Sequence, residues 1–142
     1  MAKSGQNSVI NSKKQQFLSS RILLVEDHEI SRQLLSDYLS CLGYQVLAIA
    51  DGKAFFWALS NFQPDLILLD LKIPHLDGYS ILKELQALPI AQQVPIIVVS
   101  AYAFKSDQQR ALSLGAKKYF VKPINLSQLR DAIQEILGGL TK

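Results

Sequence analysis

The 142-residue sequence has one cysteine, one methionine, one tryptophan and two histidines. With Cys41 as its sole thiol it can form no intrachain disulfide and no cysteine-based metal centre. His28 and His75 have no second histidine at metal-ligand spacing, so both are read as surface or packing residues rather than metal ligands. Long apolar runs are also missing. The longest stretch without a charge, Leu85–Phe104, is 20 residues long but carries three glutamines and two prolines. A membrane span of that length should be predominantly apolar, so no membrane association is expected. A basic body is missing too. Residues 1–21 hold Lys3, Lys13, Lys14 and Arg21 and no acid, which is +4 of a net +3. The other 121 residues carry 11 bases and 12 acids, or −1. Nucleic-acid binding wants a basic stripe on the folded body, and this arithmetic gives no basic body.

What remains is ordinary globular composition, with 49% hydrophobic and 19% charged residues. One domain of this length buries roughly 68–70% of its unfolded surface and folds without staples. Residues 1–20 are rich in Ser, Asn, Gln and Lys and show no sustained period, which suits a flexible basic tail or linker. From Arg21 the pattern alternates. Short apolar runs at 22–25, 44–49, 65–70, 94–99 and 117–121 suit strands buried on both faces. Between them, helical periodicity covers Ile30, Leu34, Leu35, Tyr38, Leu39 and Leu42, then 51–62, 77–87 and 104–114. A fifth helix is marked by Leu126, Leu129, Ile133, Ile136 and Leu137 and should stop at Gly138-Gly139. The domain is thus expected over 21–139, with 140–142 as a short end and no output domain. Five strand–helix units imply an α/β fold. The sheet would be parallel and five-stranded, in the order 2-1-3-4-5, with helices on both faces (doubly wound and flavodoxin-like).

In such a sheet the ligand crevice lies beyond the carboxyl ends of the strands, where the strand order reverses. The first strand ends in Glu26-Asp27, the third in Asp70, the fourth in Ser100 and the fifth in Lys122-Pro123. Any one of these residues alone would be read as a cap, a turn or a solvated loop. Together they bring three carboxylates, a hydroxyl and an ammonium to one crevice. Crowded carboxylates repel, and an all-oxygen set suits Mg²⁺. Asp70 as nucleophile would form an acyl phosphate, with Lys122 and Ser100 contacting phosphoryl oxygens.

At these residues the chain resembles the response-regulator receiver domains of two-component phosphorelay systems. The resemblance is carried by ILLVEDH, PDLILLDLKIPHLDG, PIIVVSAYA and LGAKKYFVKPI and spans 21–139. It implies Asp70 as phosphoacceptor and Glu26 and Asp27 as the acidic pair for Mg²⁺, with the Lys72 backbone carbonyl as a further ligand. It implies Ser100 and Tyr119 as switch residues, Lys122 as a phosphoryl contact, and a cis bond before Pro123. The partners implied are a sensor histidine kinase or a histidine phosphotransfer protein. A downstream partner would be reached through the fourth helix, fifth strand and fifth helix. The protein would be cytoplasmic and not an enzyme in the ordinary sense, since it would catalyse only its own phosphorylation and dephosphorylation. Ser at 100 stands where Thr is commoner and Ile73 where Met is frequent. Lys72 adds an unusual positive charge.

Three other classes fit less well. An aspartyl-phosphate phosphatase of the haloacid dehalogenase type wants an Asp where Lys72 stands. A flavodoxin-like electron carrier wants a phosphate-cradling first loop rather than Glu26-Asp27-His28. A degenerate receiver would not keep Asp70, Ser100 and Lys122. By its period Cys41 is expected in the core. Of Phe55, Phe56 and Trp57, not all can face inward.

Overall fold

The computed structural model describes residues 19–89 and 92–140. The expected basic tail lies outside the described residues except for Ser19 and Ser20, as do Thr141 and Lys142. The five strands are β1 (Arg21–Val25), β2 (Gln45–Ile49), β3 (Leu66–Leu69), β4 (Ile96–Ser100) and β5 (Lys118–Val121). They form one parallel sheet in the order β2-β1-β3-β4-β5. The helices are α1 (Glu29–Cys41), α2 (Phe55–Phe62), α3 (Gly78–Gln86), α4 (Lys105–Ser113) and α5 (Leu126–Leu140). A 3₁₀ turn, Gly52–Ala54, precedes α2, and Asp51 caps it by accepting from the Lys53 N–H.

The strand period of two divides the core. Leu23, Val25, Ile67, Leu69, Ile96 and Val98 face one side and are covered by α2, α3 and α4. Ile22, Leu24, Leu66, Leu68, Ile97 and Val99 face the other and are covered by α1 and α5. Both sides of β3 are therefore dry, which is why LILL carries no polar residue. Each such side chain contributes roughly 1.5–3 kcal/mol by leaving water. Among the described residues no helix is long and apolar enough to cross a membrane.

Three local expectations are corrected. Cys41 is exposed, not buried. It lies seven residues after Leu34, on the same helical face, and Leu34 is itself 56% exposed. The core stripe of α1 is narrower than the apolar pattern and centres on Leu35 and Leu39, while Ile30 is 73% exposed. The glycines at 138 and 139 do not stop α5, which continues to Leu140. A helical glycine costs only about 1 kcal/mol relative to alanine, and Leu129, Ile133 and Leu137 anchor the helix from the core side. By contrast Gly43 and Gly115, which follow α1 and α4, take positive φ of 101° and 104°. Of the three adjacent aromatics, Phe55 is fully buried and Trp57 is largely exposed.

Candidate functional site

Backbone pairing carries the sheet one residue past its strand ends and sets the site side by side. The Glu26 N–H donates to the Ile49 carbonyl at 3.0 Å, the Asp70 N–H to Val25 at 3.0 Å, and the Lys122 N–H to Ser100 at 2.9 Å. Glu26 and Asp70 thus leave adjacent strands at the same level. One carboxylate oxygen each from Glu26, Asp27 and Asp70 lie within 4.8 Å of one another. Glu26 and Asp70 are buried, and Asp27 is exposed at the mouth. Lys122 reaches into the cluster from β5. Its Nζ donates to Glu26 Oε1 and, at 3.0 Å, to Asp70 Oδ2. The Lys122–Pro123 peptide bond is cis. The Lys72 N–H donates to Asp70 Oδ1 at 3.1 Å, and the His28 N–H to Glu26 Oε2 at 3.2 Å.

The electrostatics follow from burial. Loss of water raises the Glu26 carboxyl above its ordinary value, and the nearby Asp70 adds to this. The bonds from Lys122 and the His28 N–H offset it only in part. Burial would lower the Lys122 ammonium, but its bonds to Glu26 and Asp70 outweigh that and raise it. Two buried carboxylates are thus held together by one cation whose side chain is 23% exposed.

Ser100 is fully buried, and its Oγ accepts from the Tyr102 N–H at 3.1 Å. The Tyr119 hydroxyl donates to the Tyr102 carbonyl at 2.7 Å. Burial raises the Tyr119 phenol, and the Ser100 hydroxyl beside it partly offsets this. Both residues therefore meet at the backbone of Tyr102, one step back from the carboxylates. Sequence reasoning missed Arg32, which donates from Nη1 to the Glu26 and Asp27 carbonyls at 3.0 and 3.1 Å and fixes the acidic turn. The available signal was a base one turn into the helix that follows two acids. His28 caps α1, its Nδ1 accepting from the Ser31 N–H. His75, at φ 71°, lies 3.6 Å from Asp51.

A doubly wound sheet in this order, with an acidic cluster and a lysine at its carboxyl ends, defines the receiver class of signalling domains. The chain belongs to the response regulator receiver domain family, whose model matches residues 22–134. It is 34% identical over 120 residues to sporulation initiation phosphotransferase F of Bacillus subtilis, covering 84% of this chain and 95% of that one. It is 36% identical over 122 residues to the probable transcriptional regulator ycf27 of Porphyridium aerugineum, covering 86% of this chain. The chain spans only half of that relative's length. Among solved structures it resembles the receiver domain of a Pseudomonas aeruginosa sensor histidine kinase, which holds a magnesium ion in its active-site cleft. The TM-score there is 0.76 at 34% identity, over 84% of this chain and 98% of that one.

Proposed function

We propose that the chain is a phosphoacceptor switch: Asp70 takes a phosphoryl group from a phosphohistidine, and the modified domain changes its affinity for a partner. The single observation that carries this reading is the Lys122 ammonium bonded to Asp70 Oδ2 inside a cluster of three carboxylates. The all-oxygen donor set fits Mg²⁺, held by Glu26, Asp27, Asp70 and the Lys72 carbonyl. When bound, the cation would supply positive charge against the carboxylates and the incoming phosphoryl oxygens.

The chain's own residues do the rest. An Asp70 carboxylate oxygen attacks phosphorus, and the P–N bond to the donor imidazole breaks with its electron pair returning to the ring nitrogen. Lys122 stays bonded to the site and accompanies a phosphoryl oxygen, so negative charge is compensated as it moves. Ser100 Oγ accepts from the Tyr102 N–H, which leaves its own O–H to donate to a phosphoryl oxygen, and a shift of the hydroxyl towards that oxygen would pull on the Tyr102 contact. Tyr102 also holds the Tyr119 hydroxyl, so the movement of one switch residue is felt by the other. A shift of a pre-existing equilibrium needs such a differential contact. Domain limits of 21–139, with residues 1–20 as a tail outside the switch, belong to the same reading.

The donor would be a sensor histidine kinase or a histidine phosphotransfer protein; one relative is named a phosphotransferase and one similar structure is the receiver domain of a sensor histidine kinase. A donor must cover the mouth of the crevice to bring its imidazole to Asp70. Exposed Ile30 and Leu34 on α1, with Pro123 and Ile124 beside Lys122, offer it an apolar rim there. The downstream partner would use α4, β5 and α5, where Phe104 and Leu112 are exposed. A near-neutral body supports neither nucleic acid nor membrane as that partner. The test is transfer from a phosphorylated histidine phosphotransfer protein. Label should reach the wild type and not Asp70→Asn, and labelling of the variant at the wild-type rate would move the acceptor elsewhere.

A further inference from the structure

Of the nine residues of α4 only Ala111 is buried, whereas α3 buries Gly78, Tyr79, Ile81, Leu82 and Leu85. A helix with so little core surface needs another hold, because buried apolar contact is what usually resists local opening. Tyr79, on the first turn of α3, supplies one. Its ring lies under the Arg110 guanidinium, 3.9 Å from the carbon to the ring centroid. Its hydroxyl donates to Asp107 Oδ1 at 3.0 Å. Asp107 and Arg110 are three residues apart on one face of α4, so a single side chain grips a full turn of the helix. Tyr79 is only 7% exposed, and a buried phenol hydroxyl needs such a partner. Burial pushes the Tyr79 phenol up to about 12, and the Asp107 carboxylate adds to the shift, so the hydroxyl stays a donor throughout the physiological range.

The grip is seated close to the phosphoacceptor. The Gly78 N–H donates to the Leu71 carbonyl at 3.0 Å, and a Cβ on Gly78 would lie 2.5 Å from the Leu71 Cα. The start of α3 is therefore pressed against the residue that follows Asp70. Arg110 itself stays exposed, its guanidinium covering the Tyr79 ring from the solvent side.

We propose that Tyr79 is the positioning residue of α4: its hydroxyl on Asp107 and its ring under Arg110 hold the helix on α3, and loosening this grip is what lets α4 rearrange. The second half rests on the reading of α4 as part of the partner surface. The test therefore uses unphosphorylated protein, so that a failed phosphorylation reading leaves it interpretable. Amide hydrogen exchange is followed by NMR in wild type, Tyr79→Phe, Asp107→Ala and the double variant. Tyr79→Phe keeps the ring and loses only the hydroxyl. It should speed exchange of α4 amides about tenfold, the worth of one hydrogen bond to a charged acceptor, with α1 and α5 unchanged. In the Asp107→Ala background the same substitution should add almost nothing, because the bond is already gone. Arg110→Gln should speed α4 exchange by about threefold. Equal acceleration by Tyr79→Phe in both backgrounds, acceleration spread evenly over all helices, or none in α4 would overturn the proposal.

Discussion

Replacing Lys122 by methionine tests how the cluster is held. The stem volume is kept and the ammonium is lost, leaving Glu26 and Asp70, 2% and 8% exposed in their side chains, facing one another. Breaking a fully buried ion pair on one side costs about 3–5 kcal/mol. Lys122 itself is 23% exposed, so water reaches its end of the pair, and a loss of about 2–3 kcal/mol is expected at neutral pH without divalent cation. For a chain of this size that lowers Tm by roughly 4–12 °C. The pH dependence has a definite sign. Glu26 is already raised above 4.5 by burial and Asp70, and losing the Lys122 bond raises it further. An acid raised in the folded state binds more protons folded than unfolded. Its destabilising effect is therefore absent below its unfolded value and grows as pH rises from there through the folded value. The gap between variant and wild type should thus shrink as the pH is taken down towards about 5. Mg²⁺ should stabilise the variant more than the wild type, because the competing ammonium is gone. Urea unfolding at about pH 5 and about pH 8, with and without Mg²⁺, measures all of this. A loss that is the same at both pH values and indifferent to Mg²⁺ would refute the electrostatic reasoning.

Gly78→Ala should cost at least 1–3 kcal/mol in chemical denaturation, because the new Cβ meets Leu71 backbone that cannot yield; an unchanged midpoint would show that α3 can shift freely. Ile30→Glu, at a position 73% exposed, should change stability by less than about 0.5 kcal/mol. It should slow transfer from a phosphohistidine protein while leaving reaction with acetyl phosphate intact, and equal slowing of both would remove α1 from the donor surface. Tyr102, two residues after Ser100, is bulky enough to shield the phosphoryl group, and Lys72, two residues after Asp70, pairs with it electrostatically and offers no acceptor to orient an attacking water, so Lys72→Asn and Tyr102→Ala should each shorten the phospho-Asp70 lifetime several-fold. Unchanged phosphate release in both would mean that neither side chain shields the group.

The strand-end residues were legible because a parallel sheet has one place for chemistry, and short apolar runs show where its strands stop. Glu26, Asp70, Ser100 and Lys122 could be listed on that basis alone. Their partners could not. That Lys122 bridges two carboxylates, or that Ser100 and Tyr119 both turn to Tyr102, depends on side-chain directions across loops that no period encodes. The Tyr79 contacts are invisible for the same reason, since they join residues 28 positions apart or more. Periodicity also overstated the core. In α1 it admitted Ile30 and Leu34 to the apolar stripe, and Cys41 with them, because a pattern gives the face of a helix but not the width that its neighbours cover. Gly138-Gly139 misled in the opposite way: a stop signal is a preference of about 1 kcal/mol, which packing on the core side overrides.

The central claim is that Asp70 is the phosphoacceptor, and it has a direct chemical readout. An acyl phosphate is reduced by borohydride to the alcohol, so a phosphorylated aspartate becomes homoserine, whereas phosphoserine or phosphohistidine does not. After incubation with acetyl phosphate and Mg²⁺, followed by borohydride reduction and peptide mass spectrometry, homoserine should be found at position 70, and only when both reagents were present. Homoserine at Asp27 or at any other aspartate, or a stable phosphoryl group on a hydroxyl or imidazole with position 70 unmodified, would contradict the claim.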